Sequence, residues 1–253
     1  MSYGVPAGYN SFSEYYDTLM QNVGYKERCD YIMEVFKRLN HEMGLSLDLA
    51  CGTGSLTVEL KKNGVDVYGI DASYDMLSFA REKAEENGLD ILFLCQKMQS
   101  IDLYGTIDTC VCTLDSINHL VKIDDVQKTF DRVSLFMNPK GYFLFDANTI
   151  YKHRKVLSDN TFVYDTEDVF CVWQNSLREN NIVDIELDFF ERDGKVYYRT
   201  EEKFSERAYS DEELTSMLEK SGFEVVARYG DMTFELPKDD EQRVIYVARK
   251  LSK

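Results

Sequence analysis

Proline is scarce in this chain: 3 in 253 residues, placed far apart at Pro6, Pro139 and Pro237. With only 14 glycines besides, collagen-like and linker-rich architectures are excluded. No apolar run approaches the roughly 18–20 residues of a membrane span. The opening Met1-Ser2-Tyr3-Gly4-Val5-Pro6 lacks the basic-then-apolar order of a secretory leader. None of the six cysteines (Cys29, Cys51, Cys95, Cys110, Cys112, Cys171) forms a Cys-x-x-Cys pair. Free, mostly buried thiols in a reducing cytoplasm are therefore expected. The three histidines, His41, His119 and His153, are scattered, so no metal site is expected. Positive charge is also short: 29 Lys and Arg stand against 45 Asp and Glu, a net charge of −16. Such a surface repels phosphate backbones and anionic membranes, which argues against nucleic acid as a partner.

What is present is an ordinary folding composition, 44% hydrophobic and 29% charged. A helix is expected over 11–20 and a second from Lys26 to about Glu42, where Tyr31, Ile32, Val35, Phe36 and Leu39 recur at helical spacing. Strands are then expected at 45–50, 65–70, 91–94, 107–114 and 142–146, with helices over 55–62, 74–86 and 124–137 between them. This alternation over about 100 residues predicts a doubly wound, mostly parallel Rossmann-like α/β sheet.

The alternation stops near residue 150. From Asn160 to Arg207 the chain is rich in β-branched and aromatic residues, with hairpin turns at Asn180-Asn181 and Asp193-Gly194. Three or four antiparallel strands are expected there, at about 161–178, 182–192 and 195–207. Ser210 and Glu213 form a capping-box pattern for a helix that ends at Gly222. Two last strands follow, at 223–229 and 244–249. This divides the chain into a core (1–150 and 208–253) with an N-terminal helical cap, and an antiparallel β insert (151–207) that is expected to serve as an acceptor lid or a dimer surface.

Two local patterns carry chemistry. Leu47-Asp48-Leu49-Ala50-Cys51-Gly52-Thr53-Gly54-Ser55 places a glycine-rich turn between a strand and a helix. Glycine allows positive φ and close approach of a ligand to the backbone. The acid at Asp48 suits a cationic ligand rather than a phosphate. Asp71, at the end of the next strand, can accept both hydroxyls of a ribose or cap the following helix.

The stretch Asp48-Leu49-Ala50-Cys51-Gly52-Thr53-Gly54, followed by Gly69-Ile70-Asp71-Ala72-Ser73 with Met76-Leu77 and Ala80-Arg81, resembles the class I S-adenosylmethionine-dependent methyltransferases. Asp108 to Asn118 is similar to that family's fourth motif, and Asn138-Pro139-Lys140-Gly141-Tyr142 to the turn before its fifth strand. The resemblance covers about 45–150 and fits the last helix and strand pair, with an antiparallel final strand. It implies S-adenosyl-L-methionine as cofactor. Gly52, Gly54 and Ala50 would hold the methionine end, with Asp48 on its ammonium and Asp71 on the ribose. Ala72 and Met76 would lie near the adenine, Gln96, Lys97 and Met98 at its edge, and Thr113 beside the sulfonium. Tyr16 and Tyr25 would cover the cofactor. Relatives often carry an acid at the position of Lys97; a lysine cannot accept a hydrogen bond, which leaves the backbone of Met98 to read the ring.

A sulfonium is already a good leaving group, so positioning does most of the work. Asp115 and His119, after the fourth strand, are the catalytic candidates. A small-molecule methyl acceptor is expected, because the signatures that grip a flipped base are missing. The aromatic insert (Phe162, Tyr164, Phe170, Trp173, Phe189, Phe190, Tyr197, Tyr198) suits a small cationic or amine acceptor. The alternatives are a non-catalytic cofactor-binding or scaffold protein of the same fold, a methyltransferase acting on RNA or protein, and a nicotinamide-dependent dehydrogenase. The last would want a glycine where Thr57 stands. A monomer or homodimer is expected.

Overall fold

The computed structural model describes residues 23–167 and 169–252. The helix expected over 11–20, and Tyr16 with it, lie outside the described residues. Helix α1 (Tyr25–Arg38) leads into strand β1 (Leu45–Leu49), helix α2 (Ser55–Lys62), strand β2 (Asp66–Asp71), helix α3 (Tyr74–Glu86) and strand β3 (Phe93–Cys95). Strand β4 (Ile107–Cys112), helix α4 (Ile123–Phe136) and strand β5 (Met137–Asn148) follow. Strands β6 (Thr161–Asp165), β7 (Val169–Arg178), β8 (Ile182–Asp193) and β9 (Val196–Arg207) come next, then helix α5 (Asp211–Lys220) and strands β10 (Phe223–Gly230) and β11 (Arg243–Lys250).

The main sheet has seven strands in the order β10-β11-β5-β4-β1-β2-β3. The five strands from β5 to β3 run parallel; β11 runs antiparallel to both β5 and β10. The central strands are apolar on both sides, as a doubly covered sheet requires. Alternation along β5 divides them: Tyr142 and Leu144 join the core under α1 and α2, whereas Phe143, Phe145 and Ala147 join the core under α4 and α5. Among the described residues no helix is long and apolar enough to cross a membrane.

The second sheet is a four-stranded antiparallel meander, β6-β7-β8-β9. Its turns are those its residues favour: Asn180 and Asn181 take φ near 60° and Gly194 takes φ 61°. One face has a small core of its own, built on Val169, Cys171, Val183, Ile185, Leu187 and Phe189, with Phe162, Trp173 and Phe204 packed against it. The outer face is charged, with Arg199 between Asp188 and Glu201. Phe170 pairs in register with Phe190, one residue out of step with the buried Cys171 and Phe189, so those two rings lie on the outer face with Tyr197 and do not wall a common pocket.

Two element ends differ from the sequence pattern. Helix α1 stops at Arg38 rather than near Glu42 because Asn40 turns to φ 50°. That turn sends the His41 ring inward, 2.8 Å from Thr109 Oγ1 and beside the Phe36 and Tyr142 rings. Strand β5 starts at once after α4: the expected turn at 138–141 is a bulge in the strand, with Lys140 at φ 68°. Asn138 Nδ2 donates to Asp108 Oδ1 at 2.8 Å, which pins the bulge to the start of β4. Of the thiols, Cys29, Cys110, Cys112 and Cys171 are buried, Cys51 is half-buried, and Cys95, at the end of β3, is exposed.

Candidate functional site

The carboxyl ends of the parallel strands converge on a loop, Ala50 to Gly54, between β1 and α2. Ala50, Gly52 and Gly54 all take positive φ, at 60°, 54° and 72°. The loop is closed by Cys51 N–H on the Ile70 carbonyl at 3.0 Å and Gly54 N–H on the Cys51 carbonyl at 2.9 Å. The two glycines have different reasons to be glycine. A Cβ on Gly52 would meet nothing within 4 Å, so this backbone faces open space. A Cβ on Gly54 would lie 2.8 Å from Ala80 Cβ, so Gly54 lets α3 pack against the loop.

The open space is a cavity lined by Tyr25, Asp48, Ala50, Cys51, Gly52, Thr53, Leu56, Thr113, Leu114 and Ser116. Asp48, Ala50, Gly52, Thr113 and Tyr25, singled out in the sequence, are thus brought together. Asp48 is buried at the floor, and Thr57 donates to its Oδ2 at 2.5 Å. Burial pushes its carboxyl up to about 7; the Thr57 hydrogen bond opposes this and Asp71 adds to it. Burial also pushes the Cys51 thiol well up, helped by Asp48 and Asp71, so that thiol is no nucleophile at neutral pH.

Asp71 holds the loop in place. Its Oδ2 accepts from Gly52 N–H at 2.9 Å and its Oδ1 from Ser73 N–H at 2.8 Å. The cap of α3 is Ser73, whose hydroxyl accepts from Met76 N–H at 3.2 Å. Ala72 is exposed and Met76 half-buried at this rim. After β3, the Gln96 side-chain amide is engaged by its own loop, accepting from Asp102 N–H at 2.8 Å and donating to the Asp102 carbonyl at 3.2 Å. Lys97 is exposed, and Met98 packs against the core with its sulfur 4.0 Å from Cys112 Sγ.

A second polar cluster lies beyond Thr113. Leu114 and Asp115 both take positive φ, 58° and 54°. Their N–H groups donate to the two oxygens of Asp146, at 2.8 and 2.6 Å. Asp146 is also paired with Arg28 at 3.3 Å and with Arg243 at 3.7 Å. Arg243 lies 2.5 Å from Asp115 Oδ1, and Asn148 donates to Asp115 Oδ2 at 3.0 Å. Burial raises the Asp115 carboxyl, but Arg243, Lys152 and His119 outweigh it and hold the group below the usual carboxylate range. Asp115, expected as a catalytic group, is therefore an anchor with both oxygens engaged, and a poor base.

His119 is better placed. Its ring lies on that of Phe204, centroids 5.1 Å apart, and its Nε2 is 3.7 Å from Oε1 of Glu206. The His119 side chain is 44% exposed and that of Glu206 only 5%. Glu206, Asn148, Asp146 and Arg243 complete this cluster and were not singled out in the sequence. Asp146 carried a signal, an acid closing an apolar strand as Asp48 and Asp71 do. Glu206 carried none, since β9 must fold over the end of the main sheet to bring it here. Atoms of Asp115, His119 and Glu206 lie within 4.8 Å of one another, a grouping not expected from scattered histidines.

Residues 47–141 match the model of the methyltransferase domain family Methyltransf_25. YqeM of Bacillus subtilis (strain 168), named as a methyltransferase, is 34% identical over 244 residues, covering 96% of this chain and 97% of that one. The chain belongs to the class I S-adenosylmethionine-dependent methyltransferases. A solved S-adenosylmethionine-dependent methyltransferase from Clostridium acetobutylicum ATCC 824 superposes on this methyltransferase with a TM-score of 0.89 at 33% identity, over 96% of this chain and 99% of that one. A glycine/sarcosine N-methyltransferase of Halorhodospira halochloris is 27% identical over 209 residues, 81% of this chain and 74% of that one. S-adenosylmethionine is the cofactor of this family, and the residues present fit it: a buried carboxyl group, Asp48, with no ion pair among the described residues, lies beside a glycine backbone with open space before it.

Two outcomes are expected of the methyltransferase loop. Gly54→Ala should destabilise the fold by about 1–3 kcal/mol through overpacking, measured by urea unfolding, whereas Gly52→Ala should weaken cofactor binding more than stability. Asp48 gives the ligand-free enzyme a pH signature. Its folded-state pKa lies above the ordinary 3.8, so its contribution to stability is complete below that value and lost as pH rises through about 7. Unfolding midpoints of the wild type and Asp48→Asn between pH 5 and 8 should differ in slope with that sign; parallel curves would refute it.

Proposed function

We propose that this enzyme transfers the methyl group of S-adenosylmethionine to the nitrogen of a small-molecule amine. The carrying observation is the buried carboxylate Glu206 facing His119 beside the loop that lines the cofactor cavity. In support, the comparable relative from Halorhodospira halochloris is named for N-methylation of glycine and sarcosine. The chain's acidity favours the same class of acceptor. Six free cysteines favour a reducing, cytoplasmic setting.

In this reading Gly52 and Ala50 face the methionine end, Asp48 pairs with its ammonium, and Asp71 takes the ribose while holding the loop. Thr113 lies on the reacting side and Tyr25 closes the cavity. Ala72, Met76 and the backbone at Lys97 and Met98 line the adenine. Gln96 shapes that loop rather than the ligand, and Gly54 acts through packing. The four-stranded sheet 161–207 walls the acceptor pocket. When bound, the cofactor supplies an electrophilic methyl group and a neutral leaving group.

The chain's own residues then have two tasks. An amine arrives at neutral pH as an ammonium ion, whose nitrogen has no lone pair to offer. Glu206 and the Phe204 ring attract that cation, and His119 Nε2 takes its proton. Glu206 Oε1 stabilises the imidazolium so formed, and the exposed ring passes the proton to solvent. A positioned base of this kind contributes roughly 10²–10⁴-fold.

Purified enzyme should methylate primary or secondary amines, with glycine, sarcosine and an amino sugar as first probes, read by mass spectrometry. His119→Ala and Glu206→Gln should each lower turnover by about 10²-fold with cofactor binding unchanged. Methylation confined to carboxylate or phenol oxygens, or to RNA or protein, would overturn the amine reading. Asp71→Ala should weaken S-adenosylhomocysteine binding by about 1–3 kcal/mol in calorimetric titration, through the loss of charged hydrogen bonds; unchanged affinity in a folded variant would remove Asp71 from the site.

A further inference from the structure

Glu206 has a second histidine behind it. His153 sits in the helical turn Lys152–Leu157 and is fully buried. Its Nδ1 is 2.9 Å from the Asn181 carbonyl oxygen. A carbonyl oxygen only accepts, so Nδ1 carries a hydrogen. The opposite nitrogen, Nε2, is buried with no hydrogen-bond partner and faces Glu206 Oε2 at 3.7 Å. A neutral ring in that tautomer would aim a lone pair at a carboxylate oxygen, an arrangement that repels. A second proton between the two groups turns it into an attraction.

The pair lies at the edge of a network of charges that Arg243 connects. Asp115 comes from the loop after β4, Asp146 from β5, Asp231 from the loop after β10 and Glu206 from β9. Against these four carboxylates stand Arg28 from α1 and Arg243 from β11, both bound to Asp146, and Lys152, bound to Asn148 Oδ1 at 2.9 Å. Arg243 is drawn to Asp146 and Asp115 ahead of Glu206, and Lys152 acts on Asp115. Asn148 gives Glu206 a neutral donor at 3.3 Å, and His119, exposed, faces its other oxygen. Arg243 acts on Glu206 only from a distance; among the described residues no Lys or Arg is in ion-pair contact with it, and a buried anion without such a contact is costly.

We propose that His153 is a positioning residue of the acceptor site: a buried imidazolium that pairs with Glu206 Oε2, keeps that carboxylate ionised and turns Oε1 toward His119. Its catalytic consequence rests on the amine reading, since an ionised Glu206 is what attracts the acceptor and steadies His119 once protonated. The pairing itself is independent of the acceptor. If the positive charge at 153 is removed, Glu206 takes up a proton and His119 loses its anionic neighbour.

The test is nuclear magnetic resonance of the full-length enzyme, labelled with 15N-histidine and 13C-glutamate, at pH 7. Only three histidines are present, so His41→Asn and His119→Asn assign the ring signals. The expected result is that both His153 nitrogens carry protons and the Glu206 carboxyl is ionised. In Glu206→Gln the His153 Nε2 proton signal should be lost; in His153→Gln the Glu206 carboxyl should shift to its protonated position. A bare His153 Nε2 in the wild type overturns the proposal, even if the variants do not fold. So does a Glu206 carboxyl that stays ionised in a folded His153→Gln enzyme. A protonated His153 in an enzyme that methylates no amine would sink the amine reading and leave the pairing standing; a neutral His153 in an active amine methyltransferase would do the reverse.

Discussion

The site depends on one buried carboxylate. Asp146, at the end of β5, receives two backbone N–H groups from Leu114 and Asp115. Neither residue favours the left-handed conformation it takes there, a strain of about 1–3 kcal/mol at each position. Charge-assisted hydrogen bonds in a buried setting offset it. The same carboxylate draws in Arg28 from α1 and Arg243 from β11. Three parts of the chain far apart in sequence are thereby fixed against one another, and the turn after β4 faces the cofactor cavity on one side and His119 on the other.

Other carboxylates divide the work around it. Asp48 lies beneath the cavity beside the glycine loop, where burial raises its proton affinity. Asp71 spends both oxygens on backbone amides and shapes the glycine loop. Asp115 is neutralised by Arg243 and acts as an anchor. Glu206, buried on β9, lies 3.7 Å from His119 Nε2. The net charge of −16 is thus not wholly a surface property: part of it is buried, at Asp48, Asp146 and Glu206.

The sheet and the glycine loop were legible in the sequence because their signals are local. Apolar runs mark strands buried on both faces, and Asn63-Gly64 and Ser210 with Glu213 mark helix ends where they are found. The pattern misjudged the end of α1 and the start of β5, because His41 and Asn138 are held by partners on β4 that no local window contains. It also grouped the insert's aromatics as one wall. The pleat sends Phe170 and Phe190 to the face opposite Phe189, and the ring that meets His119 is Phe204.

The sequence by itself determined the strand–loop–helix units, the carboxylates at the ends of β1 and β2, and with them the cofactor, since each is set by residues within a few positions of one another. Only the tertiary structure decided which groups gather beyond the loop after β4. His119, Asn148, His153 and Glu206 come from four separate segments, and a pairing between a buried acid and a buried imidazole exists only when packing has removed water from both.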